Sequence, residues 1–283
     1  MPKSDQFVLR PLEKVELEKF FNTHALKVIR YFINKSLFSQ PEKLINQDKD
    51  LPIQIPKEHI EQWLVHALWV EWVGSWSYPI DVFNPHENWG ADIKMLSAKV
   101  DRAGKLITGD SGETSLAQKF REAWAGLDEL FNEWKYQQVK DEWLWIYQRK
   151  LEEVISAHKL EHIYYFILIR GGNSFYFVGM EVQIDMIGHT QADLEKTANS
   201  KKVESIFING FIDSALGSAK IYKAKKRLEL RLKPLAWFEQ GLCIAIPDSW
   251  YKNDEINLLG EVKEWKSLSD IAFQRFQKIF GHQ

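Results

Sequence analysis

From Tyr78 to Leu96 the chain reads YPIDVFNPHENWGADIKML, two short apolar runs around a polar loop carrying Asn, Pro and Gly. Runs of this length bounded by turn-forming residues predict two adjacent strands, over residues 79–83 and 91–96. Such a hairpin constrains more than its own backbone. Side chains alternate between the faces of a strand, so parity assigns every polar residue inside the runs to one face. Asp92 and Lys94 are two apart and share a face, and Asp81 on the partner run can join them.

These residue types suit one chemistry. Mg²⁺ takes oxygen ligands, keeps several waters, and is held by one or two carboxylates plus substrate phosphate oxygens. It polarises a phosphate and lowers the pKa of a bound water. A lysine beside it orients that water and stabilises the negative charge of the transition state. Asp81 and Asp92 are the expected metal ligands and Lys94 the water-positioning cation, an arrangement suited to phosphodiester hydrolysis.

Asp81, ten intervening residues, and then Asp92-Ile93-Lys94 resembles the PD-(D/E)XK nuclease superfamily, most closely its type II restriction endonucleases. The family's Pro-Asp is here Pro79-Ile80-Asp81. The resemblance covers roughly residues 57–183 and implies an α/β fold, a mixed central sheet flanked by helices. It also implies Mg²⁺ as cofactor, double-stranded DNA as partner, and a homodimer with one site for each strand. The family often adds an acid from a helix before the first strand, which points to Glu71 in HIEQWLVHALWVEWVGSW. Glu71 sits among Trp69, Val70, Trp72 and Val73, and a carboxylate in an apolar helix needs a partner or a metal. An ion pair or a position at the helix rim explains it equally well. A second triplet, Glu181-Val182-Gln183, lacks an acid on the preceding strand and ranks behind Asp92.

The segment KIYKAKKRLELRLKP, residues 220–234, gathers positive charge. As one strand it would place Lys223, Lys225, Arg227, Arg231 and Lys233 on one face and apolar residues on the other. That face could follow a phosphate backbone, or it could protect a sheet edge from aggregation. The overall net charge of −2 neither favours nor opposes a nucleic-acid partner. Trp89, in the hairpin loop, is a further candidate beside a DNA groove.

The rest of the chain predicts a single domain with a helical N-terminal layer over 1–56, a catalytic core over 57–183, and a strand-rich part over 184–283. Helical periodicity covers 11–48, and Pro56 opens a helix that ends near Gly74. Ser111 or Thr114 caps a helix running through LAQKFREAWAGLDELF, and another spans about 135–158. Strands are expected at 163–170, 175–182, 205–208, 219–232 and 243–246, with a last helix over 268–280. The lone Cys243 excludes an internal disulfide framework and any cysteine-rich zinc site. There is no H-E-x-x-H, P-loop or dinucleotide-binding glycine motif, no apolar run long enough for a membrane span, and no signal-peptide core at the N-terminus. A cytoplasmic protein is expected. A repair or recombination nuclease of the same fold, and a non-enzymatic nucleic-acid- or protein-binding protein, remain open alternatives.

Overall fold

Alternating apolar residues dominate the middle of the chain, and the computed structural model gathers them into two sheets. It describes residues 6–36, 53–73, 79–118, 127–198, 205–223, 227–251, 256 and 258. The strands are β1 (Leu9–Pro11), β2 (Glu71–Trp72), β3 (Val82–Asn84), β4 (Trp89–Ala98), β5 (Thr114–Gln118), β6 (His162–Gly171), β7 (Ser174–Val182), β8 (Gln191–Asp193), β9 (Ser205–Asn209), β10 (Gly217–Tyr222), β11 (Arg227–Leu232) and β12 (Ile244–Ala245). The helices are α1 (Lys14–Phe20), α2 (Thr23–Ser36), α3 (Lys57–Leu68), α4 (Leu127–Asn132), α5 (Tyr136–His158), α6 (Leu194–Ala198) and α7 (Pro234–Glu239).

The first sheet is mixed, in the order β1-β7-β6-β4-β3-β2, with β12 also paired to β7. Its centre is the parallel pair β4–β6, in register from Trp89↔His162 to Ala98↔Gly171. Parallel neighbours need a crossover, and α5 lies in the connection between them. The second sheet is antiparallel throughout, in the order β5-β11-β10-β9-β8.

Helix α5 packs between the sheets. Its Val139, Leu144, Tyr147 and Leu151 share one apolar cluster with Ile163 and Ile167 of β6 and with Leu228 and Leu230 of β11. The opposite face of the first sheet is covered by α1, α2 and α3. There Phe32 stacks on Trp63 at 5.6 Å between centroids, and Phe21 stacks on Phe177 at 4.2 Å. The mixed α/β class follows the expectation, with a second, antiparallel sheet beside the mixed one. The first sheet nevertheless draws β1 and β12 from outside residues 57–183. No helix among the described residues is long and apolar enough to cross a membrane.

Four expectations are corrected. The helix before the hairpin ends at Leu68, not near Gly74, because Trp69 adopts a left-handed conformation (φ 55°) and turns the chain into β2. Glu71 therefore lies on a strand, paired with Phe83, and is exposed. The helix predicted after Ser111 or Thr114 begins instead as β5, since pairing with β11 outweighs local propensity there. Ser111 caps nothing; its Oγ accepts the Leu232 N–H at 3.0 Å and joins β11 to the first sheet's trailing loop. The basic segment 220–233 is split by a turn after Tyr222 into β10 and β11. Finally, the helical periodicity expected over 11–48 resolves into α1 and α2, parted at Asn22, whose side chain accepts the N–H groups of His24 and Ala25 and starts α2, while 37–48 lie outside the described residues. The expected helix over 268–280 lies outside the described residues.

Candidate active site

The β3–β4 hairpin forms much as its sequence implies. Val82 pairs with Ala91, Phe83 with Gly90, and Asn84 with Trp89. In the turn the Asn84 carboxamide oxygen accepts the His86 and Glu87 N–H groups at 2.9 and 3.1 Å. Gly90 stands in a crowded place. A Cβ there would stand 2.8 Å from a Leu160 methyl carbon and 2.9 Å from one of Ile80.

The functional geometry arises where this ladder ends. Asp81 N–H still bonds to Ala91 O at 2.8 Å, but the next contact is made by a side chain: Asp81 Oδ2 accepts Ile93 N–H at 2.7 Å. The carboxylate takes the place of a strand carbonyl, so β3 parts from β4 at this point. On the other side Val73 N–H bonds to Asp81 O at 3.0 Å, which ties β2 to the same residue.

Beyond the split, Asp92 and Lys94 lie on the face that packs toward α5, while Ala91 and Ile93 face α2 and α3. The Lys94 ammonium bonds to Asp92 Oδ1 and stands 3.9 Å from Asp81 Oδ2. Side-chain exposure is 6% for Asp92, 15% for Lys94 and 22% for Asp81, so the cluster is most open on the Asp81 side.

Burial is the largest influence on Asp92. Burial and the neighbouring Asp81 carboxylate together push its carboxyl well above the ordinary range, against the pull of Lys94. Lys94 also feels burial most, which by itself would lower it. The charges of Asp92, Asp81 and Glu61 outweigh that effect, and the ammonium is held above its ordinary value. Two carboxylates thus share one ammonium in a poorly hydrated place. The excess negative charge is relieved by a proton on Asp92 or by another cation.

Glu61 is the residue missed in the sequence. It lies on α3, on the helix that precedes the hairpin, and its charge acts on Lys94. It stood ten residues before Glu71 in the same stretch, and only the position of the helix end separates the two roles. Glu71 shares the face of Asp81 through its Phe83 partner, yet its side chain forms no hydrogen bond or ion pair among the described residues.

The residues fit a hard divalent cation. Among the described residues no group of three His, Cys, Asp or Glu side chains is arranged to hold a metal. Mg²⁺ needs no such cage, because waters and substrate oxygens complete its shell. Asp81 and Asp92 supply oxygen donors with charge to spare.

No known protein family, curated protein or solved structure matches this chain.

The other residues singled out in the sequence stand apart from this cluster. Trp89 is buried rather than lining a groove, edge-on to Phe20 at 5.2 Å, with its indole N–H bonded to Glu87. Glu181 belongs to a separate network on β7. It accepts from Arg10 at 2.6 and 3.0 Å and contacts His162 Nδ1 at 2.7 Å.

The basic stripe is largely neutralised. Cross-strand pairing sets Lys220 opposite Glu229 and Tyr222 opposite Arg227, on one face with Arg231. Lys220 bonds to Glu113 at 2.8 Å and stands 3.5 Å from Glu229; Arg227 bonds to Glu229, and Arg231 to Glu113. Lys233 donates to Ser214 O at 2.7 Å, and Lys223 to the Asn132 side chain at 2.8 Å. Lys225 lies outside the described residues. Of the cations expected on one strand face, Arg227 and Arg231 share a face of β11, while Lys223 and Lys233 lie outside the strands.

Proposed function

We propose that this chain is a Mg²⁺-dependent endodeoxyribonuclease of the PD-(D/E)XK type, acting on double-stranded DNA as type II restriction endonucleases do. One observation carries the reading: Asp81, Asp92 and Lys94 converge where β3 parts from β4, on a mixed sheet. The strand order beside an acid-bearing helix supports it, with Glu61 in place of Glu71 as the helix acid.

Asp81 and Asp92 would hold the cation, which when bound supplies Lewis-acid polarisation of the phosphate and a more acidic water. The chain's own residues do the rest. The backbone bond from Ile93 fixes the Asp81 carboxylate, so its orientation costs little when the ligand arrives. Lys94, kept protonated by its acidic neighbours, orients the attacking water and stabilises the charge that builds on the phosphate oxygens. Lys223, at the end of β10 and bonded only to the neutral Asn132 side chain among the described residues, is the cation of the basic hairpin best placed for a DNA backbone. Arg227 and Arg231 reach DNA only in competition with Glu229 and Glu113. A second copy of the chain would bring a site to the other strand, in a cytoplasmic restriction enzyme.

The test is incubation of the purified chain with unmethylated phage DNA and Mg²⁺, beside samples with EDTA or with Lys94→Ala. Discrete fragments only with metal and intact Lys94 are the expected result. A metal-dependent smear points to a repair nuclease of the same fold. DNA binding without cleavage, unchanged by EDTA, replaces the enzyme with a binding protein.

A further inference from the structure

Directly behind Asp92 lies a polar pair that packing alone does not require. Asp92 and Tyr165 are register partners on the parallel strands β4 and β6, and both side chains face α5. The neighbours of Tyr165 on that face of β6 are Ile163, Ile167 and Ile169, so an apolar residue would satisfy the pattern. Tyr165 instead meets Tyr147 of α5, hydroxyl to hydroxyl at 2.9 Å, and both side chains are fully buried.

The hydrogen-bond count does not close. Two hydroxyls carry two protons, and the bond between them uses one. Among the described residues neither hydroxyl has a partner besides the other, so one donor faces the interior without an acceptor. Buried donors in folded proteins find acceptors or enclosed water. Asp92, the register partner of Tyr165 on the same face, is the candidate acceptor. Burial is the main cause that raises both tyrosines, and the Asp92 charge adds to it in each case.

We propose that Tyr147 and Tyr165 are positioning residues for Asp92: their spare hydroxyl proton reaches the Asp92 carboxylate through an enclosed water and fixes its orientation for a divalent cation. This rests on the nuclease reading of the site. Tyr147 orders Tyr165, Tyr165 orders the water, and the water holds the Asp92 carboxylate. Supports of this kind behind a metal ligand govern affinity without touching the metal.

The test uses Tyr165→Phe and Tyr147→Phe, which remove one oxygen each and keep the ring. Tyr164→Phe, on the opposite face of the same strand, is the control. Ca²⁺ binding to each full-length protein is measured by calorimetry, with cleavage kinetics in Mg²⁺ and a thermal melt. Weakening of Ca²⁺ binding by about tenfold in both variants, with kcat reduced and KM for DNA unchanged, is the expected result. Wild-type absorbance should also show a tyrosine difference spectrum on adding Ca²⁺ that Tyr165→Phe lacks and Tyr164→Phe retains. Folded variants that bind Ca²⁺ within twofold of wild type overturn the proposal and leave the nuclease reading intact. A wild-type chain that neither binds Ca²⁺ nor cuts DNA removes both. Should Tyr165→Phe not fold, Tyr147→Phe decides the question alone.

Discussion

Lys94 is held by two carboxylates, yet its proposed work begins only when substrate charge appears beside it. Lys94→Ala should lower kcat by about 10²–10³, with KM for DNA little changed, because the interaction it removes grows in the transition state. Steady-state cleavage of a short duplex measures both constants. A second residue-scale expectation concerns Glu113. Burial would raise its carboxyl, but Lys220 and Arg231 overcome that and hold it down from 4.5 to about 2. A carboxyl depressed in the folded state stabilises the fold above its unfolded value and loses that contribution as pH falls through the folded one. Urea midpoints should therefore separate wild type from Glu113→Gln at neutral pH and converge between pH 4.5 and 2. Gly90 gives a steric expectation. Gly90→Ala should destabilise by about 1–3 kcal/mol, since Leu160 and Ile80 must both yield to the added methyl.

Among elements, the β10–β11 hairpin shows how pairing reassigns charge. Its cations look like a nucleic-acid face only while the segment is read as one strand. Folded back at Tyr222, β10 and β11 place Lys220 and Arg227 on Glu229, a fully buried acid, and Arg231 on Glu113. Removing one member of a buried charge cluster strands the others, so Glu229→Ala should cost about 3–5 kcal/mol in chemical denaturation. Lys223, at the turn, has a different expectation. Lys223→Ala should leave stability nearly unchanged while reducing the salt dependence of DNA binding by about one unit of slope. Titrations at several salt concentrations distinguish the two roles. The hairpin β3–β4 works in the opposite sense: it ends early, and the early end creates the site. A strand longer by two residues would have paired Ile93 with a backbone carbonyl and freed the Asp81 carboxylate from its anchor.

At the scale of the whole molecule, α5 is the shared wall of both sheets, and one apolar cluster runs from β6 through α5 to β11. Far-ultraviolet and near-ultraviolet thermal melts should accordingly coincide in one transition, because neither sheet keeps its core without the helix. The same arrangement places the candidate site in the first sheet, with the second sheet joined to it through Ser97, Gly112 and Leu232. A backbone bond of 3.0 Å from Gly112 to Ser97 makes that link, five residues past Asp92.

By itself the sequence determined the features that depend on nearest neighbours along the chain. The period of two placed Asp92 with Lys94, the polar loop between apolar runs marked the β3–β4 turn, and α5 was legible in its long helical repeat. Asp81 joined them because a tight turn leaves little freedom in register. Only the tertiary structure decided the rest. WVEW reads as helix or strand until Trp69 turns left-handed and β3 offers a ladder, which put Glu71 on a strand and left Glu61 on the helix. The stretch from Thr114 to Gln118 became a strand because β11 was there to pair with it. The basic run divided at Tyr222, and its charges were taken up by Glu113, which lies more than a hundred residues away in sequence. Local spacing fixes which face a side chain occupies; what waits on that face is set by chain segments that meet only after folding.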